Sequence, residues 1–198
     1  MMHVISGKYK GRRIETLPGK EIRPTTGRAK EAMFNILAHG RFYGEASPLP
    51  AARVIDIFCG TGALGLEALS RGAEHVTFVD ENPKALEITR KNIEHIGAAG
   101  NADFLRADST RIPPTRKDPC TLAFIDPPYE TGVAAQAVEN LIAGNWLAPG
   151  AIIVIEQSKR DDLKLPAGCT LIDERVYNST KIIILEYISG VIPATRLR

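Results

Sequence analysis

A mostly parallel α/β sheet finished by an antiparallel hairpin is the fold this sequence predicts, and three observations predict it. Between Arg53 and Glu156, runs of β-branched or aromatic residues alternate with amphipathic stretches about a dozen residues long, the rhythm of a parallel sheet covered by helices. A glycine-rich bend follows the first of those strands. After Glu156 the rhythm stops: Cys169 to Tyr177 and Lys181 to Tyr187 read as strands joined by a Tyr-Asn-Ser-Thr turn, with no room for a crossover helix.

The strands expected in the alternating region are Arg53 to Phe58, His75 to Asp80, Ala102 to Ala107, Thr121 to Ile125 and Ala151 to Glu156, with helices filling most of the gaps. The second helix is the best marked. Asn82 can cap it, Pro83 suits its first turn, Leu86, Thr89, Ile93 and Ile96 share a face, and Gly97 ends it. Ahead of the sheet, His3 to Ser6 and Arg12 to Thr16 flank a Gly-Lys-Tyr-Lys-Gly turn and predict a small hairpin. Arg28 to Ala38 then carries Ala29, Met33, Ile36 and Leu37 at helical spacing. Residues 40–52, rich in Gly, Pro and Ser, read as a linker. The expected organisation is an N-terminal extension over residues 1–44 and a catalytic domain over 45–198.

Composition bounds the function classes. The 198 residues, 44% of them hydrophobic and 24% charged, suffice for a domain that buries about 70% of its unfolded surface. Apolar runs fall well short of the roughly 18 residues of a membrane span, and the basic residues of the start follow its apolar ones, the reverse of a secretory signal. A cytoplasmic location is therefore expected. Cys59, Cys120 and Cys169 are widely spaced, with no C-x-x-C pair to hold zinc, and read as small buried fillers; no metal is expected. Net charge is +2, but residues 1–44 carry nine Lys or Arg against three Glu. Such asymmetry suits a polyanion, because clustered cations gain affinity for phosphates by releasing counterions. A solvated basic surface would look the same.

The bend Asp56-Ile57-Phe58-Cys59-Gly60-Thr61-Gly62-Ala63-Leu64-Gly65 is a weak signal alone. Its glycines satisfy G-x-G-x-x-G, and Asp80 lies 20 residues after Gly60, where a dinucleotide-binding protein keeps its ribose carboxylate. Two details favour S-adenosylmethionine over NAD. Asp56 stands four residues ahead of Gly60, where a carboxylate helps hold a cationic ligand through water or the loop backbone but is unwelcome to a pyrophosphate. The C-terminal hairpin is the second detail, since it separates Rossmann-like class I methyltransferases, with their mostly parallel seven-stranded sheet, from the all-parallel dinucleotide fold. The expected cofactor residues are Asp56, Phe58, Cys59, Gly60, Gly62, Asp80 with its neighbour Glu81, and Asp108. Asp80 is placed for the ribose hydroxyls, and Asp108 either for the adenine amino group or as a turn cap.

The most informative stretch is Leu122-Ala123-Phe124-Ile125-Asp126-Pro127-Pro128-Tyr129, a buried strand ending in a rigid acidic and aromatic turn. Ligands of open α/β sheets bind beyond the carboxyl ends of the strands, which sets Asp126 beside the glycine bend. An exocyclic amine is a poor nucleophile because its lone pair is delocalised into the ring. Asp126 and the Pro127 carbonyl, accepting its two N–H bonds, would favour the tetrahedral nitrogen that methylation requires. Pro128 stiffens the turn, and Tyr129 offers a face on which an unstacked base can lie.

The chain resembles the RsmD family of bacterial small-subunit rRNA guanine-N2 methyltransferases over nearly its whole length. The resemblance rests on Ile5 to Arg13 (ISGKYKGRR), Arg23 to Thr26 (RPTT), Lys30 to Leu37 (KEAMFNIL), Gly65 to Ala73 (GLEALSRGA) and the D-P-P-Y tetrapeptide. It implies transfer of a methyl group to N2 of a particular guanine in 16S rRNA, within a partly assembled small subunit. It also implies the turn roles for Asp126 and Tyr129, the ribose role for Asp80, and a place at the pocket lip for Arg23 and Thr25. Lys10, Arg12, Arg13 and Arg28 fit RNA phosphates by charge, and phosphate contacts position without specifying sequence. Asp80 and Tyr129 replace the Glu and Phe of many relatives, and Arg41 to Ala52 and Arg196 to Arg198 match nothing transferable. Nothing demands a dimer, so a monomer is expected. The alternatives are a DNA adenine-N6 methyltransferase, for which the chain lacks room for a large target-recognition domain, and an NAD-binding oxidoreductase or a non-catalytic binding module.

Overall fold

The computed structural model describes residues 2–16, 27–39, 47–128 and 132–189, the side chains of Gly27 and Arg28 excepted. The expected sites at Arg23, Thr25 and Tyr129, the Arg28 side chain and the tail Arg196 to Arg198 lie outside the described residues. In chain order come Met2–His3 (β1), Arg13–Ile14 (β2), Gly27–His39 (α1), Arg53–Ile57 (β3), Ala63–Ser70 (α2), His75–Asp80 (β4) and Pro83–His95 (α3). Ala102–Arg106 (β5), Cys120–Ile125 (β6), Val133–Ala143 (α4), Leu147–Ser158 (β7), Cys169–Tyr177 (β8) and Thr180–Tyr187 (β9) complete it.

Seven strands form one sheet in the order β5-β4-β3-β6-β7-β9-β8. The first five are parallel, and β9 runs antiparallel to both β7 and β8, as the C-terminal hairpin required. From β3 the chain winds outward through β4 to β5, then returns to lay β6 on the other side of β3. The winding direction therefore reverses between β3 and β6, and the crevice beyond their carboxyl ends is where such sheets bind ligands. Alternate residues feed two apolar layers. Val54, Phe78, Phe124, Val154 and Ile184 pack beneath α1, α2, α3 and the N-terminal hairpin, while Ile55, Val79, Ile125, Ile153 and Ile183 pack against α4 and Trp146.

The predicted signals of α3 all hold. The Asn82 side chain accepts from the Lys84 N–H at 3.0 Å, Pro83 opens the helix, Gly97 follows it at φ +72°, and Leu86, Thr89, Ile93 and Ile96 are buried. On α1, the expected stripe Ala29, Met33, Ile36 and Leu37 is at most 5% exposed. Three expectations change. The N-terminal ladder is shorter than predicted: the Val4 N–H still bonds the Arg12 carbonyl at 2.9 Å, but the next two N–H groups, of Ile5 and Ser6, turn to a side chain instead of a strand. Strand β7 begins at Leu147, ahead of the expected Ala151, and a register shift between Cys120 and Leu122 absorbs the additional Pro149-Gly150. The connection over 107–119 carries turns and no helix.

The side chain that shortens the ladder is Glu67 of α2, 0% exposed. Its carboxylate accepts from the N–H groups of Ile5 (2.7 Å) and Ser6 (3.0 Å) and pairs with Arg71 (2.8 Å) and Lys30 of α1 (3.4 Å). Lys30 also donates to the His3 carbonyl at 3.2 Å, so one buried acid joins hairpin, α1 and α2. Burial lowers the Lys30 pKa, and the neighbouring carboxylate offsets that in part. A buried charge whose partner is removed costs about 3–5 kcal/mol. Glu67→Ala is therefore expected to lose about 3–5 kcal/mol in urea unfolding, and Glu67→Gln, which keeps an acceptor, clearly less. Equal losses would show that the negative charge, which both variants remove, carries the whole effect and that the acceptor and packing kept by Gln contribute nothing.

Candidate active site

The glycine bend starts from strain. Phe58, the residue after β3, adopts φ +59°, a region that bulky side chains rarely occupy. Here the expected strand Arg53 to Phe58 ends one residue early. Phe58 is held by its N–H to the Ser109 hydroxyl (3.4 Å), and the next N–H, of Cys59, bonds the Val79 carbonyl on β4 (3.1 Å). Gly62, at φ +75°, leads directly into α2, and a Cβ there would stand 2.6 Å from Thr89 Cγ2. At Gly65 a Cβ would meet the Phe78 ring at 2.3 Å, so α2 lies hard against β4 only because that residue lacks a side chain.

Asp56 is 2% exposed, and its Oδ2 accepts the Gly65 N–H at 2.9 Å. Since Gly62 has no side chain with which to cap α2, the strand beneath supplies the acceptor for one of the helix's orphan N–H groups. Asp56 thus acts on the loop backbone, one of the two routes its position suggested. Asp80 does likewise from β4. Its Oδ2 accepts from the Gly60 N–H and its Oδ1 from the Asn82 N–H, both at 2.9 Å, and the half-exposed carboxylate keeps further lone pairs for a ligand. Glu81 beside it is exposed, and its carbonyl accepts from Arg106 at 3.3 Å. Asp108 is exposed and takes the turn role: Oδ1 accepts from the N–H (2.9 Å) and hydroxyl (2.7 Å) of Thr110, which holds its carboxyl below the usual range.

Asp126 follows Ile125, and Ile125 pairs with both Ile57 of β3 and Ile155 of β7. Parallel strands lie about 4.8 Å apart, so the acidic turn stands one strand spacing from the residue that opens the glycine bend. The expected juxtaposition of turn and bend is present. Asp126 and Pro127 are half-buried and Pro128 is exposed. A cavity of about 60 Å³ adjoins the turn, lined by Pro127, Pro128, Ala134 and Ala135 on one side and Gln157 and Leu163 on the other.

The electrostatics of the crevice are acidic. Burial pushes the Asp56 carboxyl well above its ordinary value of 3.8; the Gly65 N–H works against that, and the nearby Asp126 and Asp80 charges add to it. The Asp80 and Asp126 carboxylates at the ends of β4 and β6 make a field that welcomes a sulfonium and an ammonium group and repels a pyrophosphate, while the buried Asp56 carboxyl serves the loop backbone. The glycine cradle and this donor set therefore fit S-adenosylmethionine. The Cys59 thiol is pushed up by burial and by Asp56 and Asp80; burial alone raises Cys169 to about 11 and, against Arg53, Cys120 to about 12. All three are buried, free and protonated near neutrality, as fillers should be.

Residues 2–186 match the family described as Conserved hypothetical protein 95, the RsmD family. The chain belongs to the RsmD family. Ribosomal RNA small subunit methyltransferase D of Escherichia coli is 31% identical to this RsmD-family chain over 176 residues, 88% of the chain and 84% of that protein. The solved structure of yhhF, a candidate methyltransferase from Escherichia coli, superposes with a TM-score of 0.78 at 29% identity, covering 94% of this chain and 98% of that one. An RNA methyltransferase from Salinibacter ruber, solved with S-adenosylhomocysteine, shares the fold at a TM-score of 0.61 and 15% identity, covering 86% and 97%. The fold of this RsmD-family chain is that of class I methyltransferases, whose cofactor is S-adenosylmethionine.

Of the sequence-predicted residues, the structure gathers Asp56, Phe58, Cys59, Gly60, Gly62, Asp80 and Asp126 at one crevice. It leaves Lys10, Arg12 and Arg13 exposed on the hairpin. Four polar residues escaped the sequence reasoning. Ser109 (3% exposed) holds Phe58; Thr89 (0%) donates to the Gly60 carbonyl at 3.0 Å; Asn92 (2%) sits one turn further along α3. Glu156 (7%) ends the predicted fifth strand, one residue past Ile155, just as Asp126 lies one residue past Ile125 of β6. The signal for Asn92 was a polar residue on the apolar stripe of an amphipathic helix.

Because the folded Asp56 carboxyl is raised, the native state keeps a proton that the unfolded chain releases. Stability from the neutral form is full in acid and is lost as pH rises through the folded value. Asp56→Asn keeps the acceptor for Gly65 and removes the charge. In urea unfolding between about pH 4 and 8, its stability relative to the parent chain should therefore improve steadily as pH rises. A difference independent of pH would mean that the buried charge carries no penalty.

Proposed function

We propose that this chain transfers a methyl group from S-adenosylmethionine to the exocyclic N2 of one guanine in 16S rRNA, presented by an assembling small ribosomal subunit. The carrying observation is the register of β3 with β6, which sets Asp126 one strand spacing from the glycine bend. The relative named for small-subunit rRNA supports the substrate class, and the acidic crevice supports the donor. Bound there, S-adenosylmethionine supplies an electrophilic methyl on a sulfonium.

In this reading the chain binds and orients. Asp80 meets the ribose hydroxyls with its remaining lone pairs, Asp108 turns its second carboxylate oxygen to the adenine side, and Glu81 lines the same strand end. Asp126 and the Pro127 carbonyl accept the two N–H bonds of the guanine amine, which localises the nitrogen lone pair and aims it in line with the methyl. Pro128 holds the turn rigid, and Tyr129 stacks on the flipped base. Lys10, Arg12, Arg13, Arg23, Thr25 and Arg28 meet the RNA around the pocket, so residues 1–44 form the RNA-binding extension and 45–198 the methyltransferase domain. The enzyme works as a monomer in the cytoplasm, where subunits assemble.

Removing one preorganised polar partner of a reacting group costs about 10²–10³ in turnover in other enzymes. Asp126→Ala is expected to lose turnover on that scale on unmodified 16S rRNA with tritiated donor, while S-adenosylhomocysteine binds within about threefold of the parent. Equal loss of turnover and cofactor binding would give Asp126 a structural role. Label entering plasmid DNA and not rRNA in the same assay would overturn the substrate.

A further inference from the structure

Asn92 is a buried side chain that the proposed chemistry does not use, yet its carboxamide makes three hydrogen bonds to two distant segments. Its Oδ1 accepts the Glu15 N–H at 2.8 Å, and its Nδ2 donates to the Glu15 carbonyl at 3.1 Å and to the Thr61 carbonyl at 3.0 Å. Glu15 is the first residue after β2, the strand that carries exposed Arg13. Thr61 lies between Gly60 and Gly62, at the apex of the cofactor bend. Both donors and one acceptor site of the amide are thereby spent, and the group is 2% exposed, so water has little access with which to replace a broken bond. The opposite strand adds a contact: the Thr61 hydroxyl lies 4.0 Å from Met2 Sδ. One turn earlier on α3, Thr89 holds the Gly60 carbonyl.

We propose that Asn92 is a positioning residue that couples RNA binding on the N-terminal hairpin to methyl-donor binding in the glycine bend. The inference rests on the proposed RNA role of that hairpin. If Glu15 shifts, the Asn92 amide must follow it or leave buried groups unpaired, and the same amide holds the Thr61 carbonyl. Phosphate contacts at Arg12 and Arg13 that settle the hairpin therefore settle the bend, and a donor that settles the bend settles the hairpin. Linkage requires the two effects to be equal, so RNA should raise donor affinity by the factor by which the donor raises RNA affinity.

The test measures labelled S-adenosylhomocysteine by equilibrium dialysis, with and without small-subunit particles that lack the methyl group. The parent chain should bind at least about fivefold tighter with particles present, the lower end of ordinary coupling factors. In Asn92→Ala the factor should fall to about one, while Asn92→Asp, which keeps the acceptor for Glu15 and loses both donors, should lie between. A parent factor of one, or an unchanged factor in a folded Asn92→Ala, overturns the inference, since a merely structural residue would shift both affinities together and leave their ratio alone. Where the Ala variant fails to fold, amide hydrogen exchange of the parent decides: S-adenosylhomocysteine should slow exchange at Glu15, and no change there is equally fatal. If particles do not bind the parent at all, the small-subunit substrate fails, and exchange at Glu15 still decides the link between hairpin and bend.

Discussion

Four parallel pairs, from Val54 with Leu122 to Ile57 with Ile125, hold β3 against β6, and every feature of the crevice depends on that register. Both strands are apolar on both faces, the ordinary condition of a central parallel strand, so their hydrophobic pattern alone would tolerate a slip. What resists a slip of β3 beneath α2 is Asp56. Its carboxylate is buried beneath α2 and must meet the Gly65 N–H; moved one residue along, it would face the α4 layer among Ile125, Ile153 and Ala137 with no such donor. The polar contact that caps the helix therefore fixes β3 beneath α2 and the bend, while Phe124 and Ile125 of β6, packed in the two opposite apolar layers, set Asp126 beside it.

Strain and charge are concentrated at the same few residues. A Phe at positive φ costs on the order of 1–3 kcal/mol, and three acids share one end of the sheet. Neither would persist without surrounding structure to hold it. The Phe58 and Cys59 N–H groups are tied to Ser109 and to Val79, the Gly60 N–H and carbonyl to Asp80 and Thr89, and the Thr61 carbonyl to Asn92. The bend is thus clamped from β4, α3 and the 107–119 connection before any ligand arrives. A bend held in this way leaves a ligand only small displacements to settle, and not a whole loop to order.

Elements with a strong local signal could be read in the sequence almost to the residue. The α3 helix was marked by cap, proline, stripe and terminal glycine, and the C-terminal hairpin by two β-rich runs with no room for a helix between them. The elements that departed did so where a distant side chain or a neighbouring strand supplied the hydrogen bonds. Glu67 takes the N–H groups that Ile5 and Ser6 would have used in a ladder, and the register shift between β6 and β7 accommodates Pro149-Gly150 inside β7. The site followed the same division. Asp56, Asp80 and Asp126 were found because strand ends and glycines are local marks. Asn92 and Ser109 were not, since their roles exist only once segments dozens of residues apart are in contact. Asp108 carried two roles in the sequence, and its Oδ1 serves the turn through Thr110.

The N-terminal hairpin illustrates why a basic segment need not be a loosely attached arm. Its strands have two residues each, far too few to stand alone in water. Val4 and Ile14 nevertheless reach 2% exposure in the same apolar layer as Phe78 and Phe124, and the hairpin's backbone is answered by Glu67, Ser70 and Asn92. Gly7 passes so close to the Ser70 carbonyl that a Cβ would stand 1.8 Å from its oxygen, which fixes the turn against the end of α2. The segment's cations stay exposed while its backbone is welded to the two helices that flank the cofactor bend. A surface for a polyanion built this way is joined through Glu67, Ser70 and Asn92 to the helices beside the crevice, so what is held on it is held in register with Asp126.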